Sequence, residues 1–267
     1  MTSTPHDAAR PRVSVVTISF RDLPGLMKTI TSTRDQDYPY VEHIVIDGGS
    51  GADTEQVLGQ SGVAYWQSQP DGGRYDGMNQ GIQHASGDLL WFMHSSDVFA
   101  GPSAITVAVD ALSRRPDPRR AWGFGGARLI GGDRDGTVWS YEGFSQRRLA
   151  LGIAPIPHQA AVFGADLVDE IGGYSTSFGL AADHLFMLCA SRLAEPVVVS
   201  EVLCDFDTTG AGSVRPQRDH FRDVRDAWPA AGVFPCAGRV ASTAIARAVQ
   251  GEAWAKSLVR RGIGLSR

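Results

Sequence analysis

The chain has 267 residues, 43% hydrophobic and 20% charged, with a formal net charge of −4. That length can bury a sizeable core in one large domain, or in one domain with a small appendage. The composition is that of an ordinary globular protein, and the absence of a basic field argues against nucleic acid as a partner.

Seven His and three Cys (Cys189, Cys204 and Cys236, with no CxxC pair) are too few and too scattered for a dedicated metal cage. The sparse, odd cysteine set suits a reducing compartment. No apolar run approaches the ~20 residues that span a bilayer. Met1–Arg12 lacks the apolar region of a secretion signal. The expectation is a cytoplasmic protein with residues 1–12 as a disordered lead-in.

Val13–Ser19 is a short, β-branched apolar run, the pattern of a strand buried on both faces. Asp22 then caps a helix whose Leu23, Leu26, Met27 and Ile30 share one face. Val41–Ile46 reads as a second strand, ended by Asp47-Gly48-Gly49-Ser50, and a short helix around Thr54–Leu58 follows with Asp53 as N-cap. Val63–Gln67 is a third strand, stopped at Pro70-Asp71-Gly72-Gly73. Tyr75, Met78, Asn79 and Ile82 mark a helix that Gly87 ends, with Tyr75 and Met78 towards the core and Arg74 and Asp76 pointing elsewhere. Leu89–His94 is another buried strand, running straight into Ser95-Ser96-Asp97.

Beyond Asp97 the pattern predicts a helix near Pro102–Arg114, a solvated arginine-rich loop over 114–120 and strands at Ala121–Leu129 and Thr137–Tyr141. A helix at Ala182–Leu193, a strand at Pro196–Asp205 and a flexible loop at Gly210–Ser213 follow. Trp66, Trp91 and Trp122 read as core residues. From Arg239, spaced apolar residues such as Val240, Ile245, Val249, Trp254 and Leu258 suggest a basic amphipathic helical tail over 236–267.

The order β-α-β-α-β-α-β through residue 97 demands a mostly parallel sheet with helices on both faces. In such sheets ligands sit beyond the carboxyl ends of the strands. The polar clusters at Ser19–Asp22, Asp47–Ser50, Asp71–Asp76 and Ser95–Asp97 all fall there. Asp47 and Asp97 each follow a buried strand. At such a rim an acid binds a nucleoside group or ligates a hard cation, since Mg2+ or Mn2+ needs only one or two carboxylates when a diphosphate supplies further oxygens.

VSVVTISFRD, IVIDGGSGADT, QPDGGRYDGMNQGIQHASGDLLWFMHSSD, IPHQAAVF and GLAADHLFML, in this order and spacing, resemble a family-two glycosyltransferase with the GT-A fold over residues 13–213. PDGGRYDGMNQGI resembles the PDxGxYDAMNKGI run of one bacterial branch. The resemblance implies an α/β, Rossmann-like domain over 13–235 and transfer from a nucleotide-diphosphate-sugar to a glycolipid or saccharide acceptor in cell-envelope synthesis. It implies Asp47 at the donor's nucleoside, and Asp71, Asp76 and Asn79 along its ribose and sugar. Asp97 matches the last acid of the DxD motif that ligates Mn2+ or Mg2+, and His158 matches a residue near the metal. Asp183 falls where the family places its general base. Gly210–Ser213 is similar to a loop that folds over the donor through Ser213. Ser19 and Ser96 complete the donor set. Two positions depart from the pattern: Gly48 stands where a second acid is common, and Ser96 replaces the Asp that usually precedes Asp97.

One base and one metal, with no second nucleophile, imply single displacement with inversion. A catalytically silent nucleotide-sugar-binding module and a sugar nucleotidyltransferase are the competing readings. The second lacks a Gly- and Lys/Arg-rich loop after the first strand, and Ser19-Phe20-Arg21-Asp22 replaces the GxGxxG turn of a dinucleotide-binding dehydrogenase. The tail either lies on an anionic membrane, peripheral to the inner face of the plasma membrane, or packs on the catalytic domain.

Overall fold

The computed structural model describes residues 10–210, 217–249 and 251. The elements in chain order are β1 (Val13–Ser19), α1 (Leu23–Arg34), β2 (Val41–Asp47), α2 (Ala52–Gln60), β3 (Tyr65–Ser68), α3 (Arg74–His84), β4 (Leu89–Phe92) and β5 (Val98–Phe99). They continue with α4 (Ala104–Leu112), β6 (Trp122–Ile130), β7 (Val138–Trp139), α5 (Gln146–Ala150), β8 (Ala161–Gly164), α6 (Ala165–Ile171), α7 (Ala182–Leu193), β9 (Val197–Asp207) and α8 (Gln217–Ala231).

The sheet runs β3-β2-β1-β4-β8-β6-β9-β5, with β7 paired to β6. Its first four strands are parallel, as the alternating units require. Beyond β4 the sheet is mixed, because β8 enters antiparallel to both β4 and β6. Alternation along the strands builds two cores. Val16, Ile44, Ile46, Leu90 and Phe92 face a cluster completed by α3, α6, α7 and α8; Val13, Val15, Leu89 and Trp91 face another completed by α4. A smaller cluster joins Leu26 and Ile30 of α1 to Val45 and Leu58.

The reversal at β8 matters for function. Leu89 pairs with Gly164 and Trp91 with Val162, so the segment just before β8 lies beside the segment just after β4. That register carries His158-Gln159 to the rim holding His94 and Asp97. β9 is parallel to β6, which is antiparallel to β8, so β9 also ends at this rim, at Asp207. A short apolar run such as AVFG gave no periodic signal, and β8 and α6 were not legible beforehand.

Several expectations change. Gly51, at φ 109°, caps α2 in place of Asp53, which lies in the first turn. Met27 is exposed on α1, and Trp66 is 37% exposed because β3 is an edge strand. The arginine loop is not simply solvated: Arg119 pairs with Asp88 and Asp166, Arg120 with Glu170, and Arg115 donates to the Glu195 and Pro196 carbonyls. These contacts fasten the loop to the start of β4 and to α6. Within the lead-in, Arg10 pairs with Asp110 and the Arg12 N–H donates to Asp88.

A helix over 238–249 packs Ser242 and Ala246 into the body, with Ile245 against the cluster that holds Trp228. This stretch packs on the catalytic domain, leaving Val240 outward. The remainder of the tail, including Trp254 and Leu258, lies outside the described residues, as does Ser213. Among the described residues no helix is long and apolar enough to cross a membrane.

Candidate active site

Ser19 and Asp47 are register partners at the ends of β1 and β2. The Asp47 carboxylate is fully buried and accepts from Gly49 N (3.1 Å), Ser50 N (2.7 Å), Ser50 Oγ (2.5 Å) and Ser68 Oγ (2.7 Å). Three of these donors reach Oδ2 and one reaches Oδ1. Asp47 therefore shapes the Gly48–Ser50 turn, and Oδ1 keeps room for one further donor. Ser50 Oγ also accepts from Arg21 N at 2.6 Å, tying this turn to the end of β1.

What the turn presents is Gly48. A Cβ built there would lie 3.2 Å from the Phe20 ring and 3.3 Å from Asp71 Oδ2. Phe20 is 58% exposed, with the Arg21 guanidinium 4.8 Å from its ring centroid. An exposed aromatic ring beside a carboxylate and a bare backbone makes a flat-sided slot. Phe20 lies inside a polar cluster at a strand end, and that setting was the available clue.

Asp71 lies in the next loop and Asp76 in the first turn of α3. Asp71 Oδ1 accepts from Gly73 N and Asp76 Oδ2 from Gly72 N, each at 2.8 Å, and Asp76 also accepts from Gln80. Asn79 is committed elsewhere: its amide exchanges two 2.8 Å hydrogen bonds with the Tyr174 main chain. It clamps α3 to the loop that carries Tyr174.

Main-chain bonds from Met93 N to Val16 O and from Ser95 N to Ile18 O extend β4 alongside β1. Ser96 then adopts φ 75°, and its Oγ donates to Asp22 Oδ2 at 2.9 Å. A non-glycine residue held there stores strain of about 1–3 kcal/mol, a cost concentrated at functional sites. Asp97 is 3% exposed, and its Oδ1 accepts from Asp207 N at 2.8 Å. Burial, reinforced by the Asp207 charge, pushes its carboxyl up to about 8.

On the β8 side, His158 Nε2 lies 2.5 Å from the Tyr174 hydroxyl, and Gln159 Nε2 lies 3.1 Å from His94 Nδ1. Burial holds both imidazoles neutral, aided by the Arg74 charge; His158 falls to about 3. Asp183 sits in the first turn of α7, and its Oδ1 accepts from His184 N at 2.7 Å. Burial raises its carboxyl, opposed by Arg74 and by a hydrogen bond from Tyr75. The neighbouring His184 imidazole, by contrast, feels the charge of His220 on α8.

Arg74, expected to point away from the core face of Tyr75 and Met78, is half-buried. Its charge acts on Asp97, Asp183, His94 and His158 alike. It opens α3 directly after Gly73, at φ 101°, and that turn sends the first helical residue to the rim. Tyr75 is buried as predicted, yet its hydroxyl reaches Asp183. Acids more than 80 residues apart in the chain thus lie in the field of one cation.

Among the described residues no group of three or more His, Cys, Asp and Glu side chains is arranged to hold a metal ion. At the rim Asp97 accepts from the Asp207 main chain, while Asp207 Oδ1 itself accepts from Thr209 N at 2.7 Å and Thr209 Oγ1 at 2.6 Å.

A curled sheet with this rim is the architecture of the GT-A glycosyltransferases. A mannosyltransferase from Pyrobaculum calidifontis, solved with GDP-Man and Mn2+, superposes with a TM-score of 0.64 at 17% identity, over 97% of this chain and 81% of its own. TarS of S. aureus (residues 1–349), solved with UDP-GlcNAc, gives 0.64 at 14% identity, over 86% and 69%. The chain belongs to glycosyltransferase family 2. The profile described as "Glycosyl transferase family 2" matches residues 14–161. Two proteins described as uncharacterized glycosyltransferases, from two strains of Mycobacterium tuberculosis, are each 52% identical over 240 residues, covering 89% of this chain and 90% of theirs.

Proposed function

We propose that the chain moves a sugar from a nucleotide-diphosphate-sugar to an acceptor hydroxyl by single displacement, inverting the anomeric centre. The observation that carries this reading is that the Arg74 charge acts on both Asp97 and Asp183, which supports a cation-binding acid and a base at one rim. Nucleotide sugars in both structural neighbours support the donor class.

Asp183 takes the acceptor proton as the new bond forms. Its raised affinity for protons makes it a stronger base than an exposed carboxylate, and Tyr75 holds it in place. A bound Mn2+ or Mg2+, held by Asp97 with Asp207 and His158 at the same rim, would stabilise charge on the departing diphosphate as a Lewis acid. Asp71, Asp76 and Ser19 line the donor side with the main chain of the Asp47 turn. Phe20 offers a stacking face for the base. The acceptor class is a glycolipid or saccharide of the cell envelope; the basic residues of the tail suit an anionic membrane surface, which liposome co-sedimentation with and without residues 252–267 tests.

Phe20→Ala is expected to weaken nucleoside binding by about tenfold, since stacking of a base on an aromatic ring is worth roughly 1–3 kcal/mol. Equal affinity for the nucleoside in calorimetry would remove Phe20 from the site. Asp97→Ala is expected to abolish any tightening of nucleoside-diphosphate binding by Mn2+; persistence of that tightening would move the cation elsewhere. The decisive assay is transfer or hydrolysis across a panel of UDP- and GDP-sugars with Mn2+, with the product anomer read by NMR. Ser96, its hydroxyl held by Asp22, favours one other reading, a silent binding module. Donor binding without turnover across the panel would select it.

A further inference from the structure

Four buried side-chain atoms among the described residues have no hydrogen-bond partner: Ser19 Oγ, His94 Nε2, His158 Nδ1 and His184 Nε2. His184 lies on α7 towards α8. Ser19 alternates with Val13 and Val15 to the other face of the sheet. The remaining two belong to one place: His94 follows β4 and His158 precedes β8, on adjacent strands, with ring centroids 6.2 Å apart. An unsatisfied buried polar group costs about 1–3 kcal/mol, so two at one rim call for a ligand that completes them.

The proton on His94 can be assigned. An amide nitrogen only donates, so Gln159 Nε2, 3.1 Å away, makes His94 Nδ1 the acceptor. The ring proton is therefore on Nε2, the atom without a partner. In the same orientation the Gln159 side chain acts on Asp97 as a hydrogen-bond partner. Gln159 is itself held by the Trp91 indole, which donates to its carbonyl at 2.8 Å. A neutral, pre-oriented N–H thus sits in reach of the Arg74 charge and one hydrogen-bonded residue away from Asp97.

We infer that His94 binds the donor's diphosphate, its Nε2–H donating to a phosphate oxygen while Arg74 supplies the positive charge and Gln159 acts as the positioning residue. The inference rests on the donor class proposed above. A donor paired with a fixed cation suits an anionic oxygen better than a sugar hydroxyl. It also answers the loss of an acid at Ser96: a rim carrying less negative charge, with its own N–H donor, holds a diphosphate with less help from a metal.

The test is calorimetry on the full chain in EDTA, with UDP, GDP, ADP, CDP and dTDP as probes and the matching nucleosides as controls. One or more diphosphates should bind. His94→Phe should weaken that binding tenfold or more while leaving the nucleoside unchanged, as expected for a hydrogen bond to a charged group. His94→Asn, which retains an N–H, should recover part of the loss. Gln159→Leu should give an intermediate loss, and the His94 ring nitrogens should shift in NMR from a pure Nε2–H form to a mixture of tautomers.

Unchanged diphosphate affinity in His94→Phe would overturn the inference. So would an equal loss for the nucleoside, or a loss confined to intact nucleotide sugars. Failure of every diphosphate to bind wild type, with or without Mn2+, would overturn the donor reading and this inference with it. Tight Mn2+-dependent binding with none in EDTA would overturn the inference alone.

Discussion

Asp183→Asn is expected to lower kcat by about 10²- to 10⁴-fold, the usual contribution of a positioned general base. The substitution keeps the size of the side chain and an oxygen able to accept from His184 N, so α7 should start normally. Donor affinity should hold, because the base acts on the acceptor's proton. The pH profile offers a second reading. Only the ionised carboxylate can accept a proton, so kcat/KM should rise with pH through an acid limb. That limb should lie above the ordinary carboxylate range, because burial raises Asp183. Asp183→Asn should remove it. Near-normal turnover in this variant, with the acid limb intact, would assign the base elsewhere.

Trp122→Ala should cost about 3–5 kcal/mol of stability, the range for emptying a large aromatic site in a core. Trp122 is fully buried in β6, stacks on Phe163 at 5.7 Å and 9°, and meets Phe144 edge-on. Its indole also donates to the Ala194 carbonyl at 2.8 Å, tying the end of α7 to the sheet. The variant creates a cavity and leaves that carbonyl without its donor. For a chain of this size the melting temperature should fall by roughly 10 °C, at about 2–4 °C per kcal/mol. Trp122→Phe should restore most of the packing and lose about 1 kcal/mol through the missing hydrogen bond. A chemical-denaturation change below about 1 kcal/mol for Trp122→Ala would mean the β6–α7 contact is not part of the cooperative core.

Much of the first half was legible because its signals are local. Val13–Ser19, a buried run ended by polar residues, forms a strand with the predicted limits, and Asp22 caps α1 as its position suggested. Ala182–Leu193 likewise falls where its spacing put it. The candidate rim followed from strand ends, and Asp97 and Asp183 both reach it. Spacing set Arg74 apart from the core face of Tyr75 and Met78, but it orders residues around an axis without saying where the helix begins relative to a neighbouring loop. Asp47 was legible as a rim residue. That its Oδ2 accepts from Gly49, Ser50 and Ser68 depends on a turn and on a partner strand that pairing alone brings close.

The sequence by itself determined the alternating architecture, the edge of the sheet where chemistry gathers, and the residue types available there, since burial periodicity and turn chemistry act over a few residues. The tertiary structure decided that β8 runs against β4. That reversal carries His158 and Gln159 to His94, while antiparallel pairing of β5 with β9 brings Asp207 to Asp97. Strand direction is chosen by how distant segments bury their apolar faces together, a long-range free energy to which no short window of residues has access.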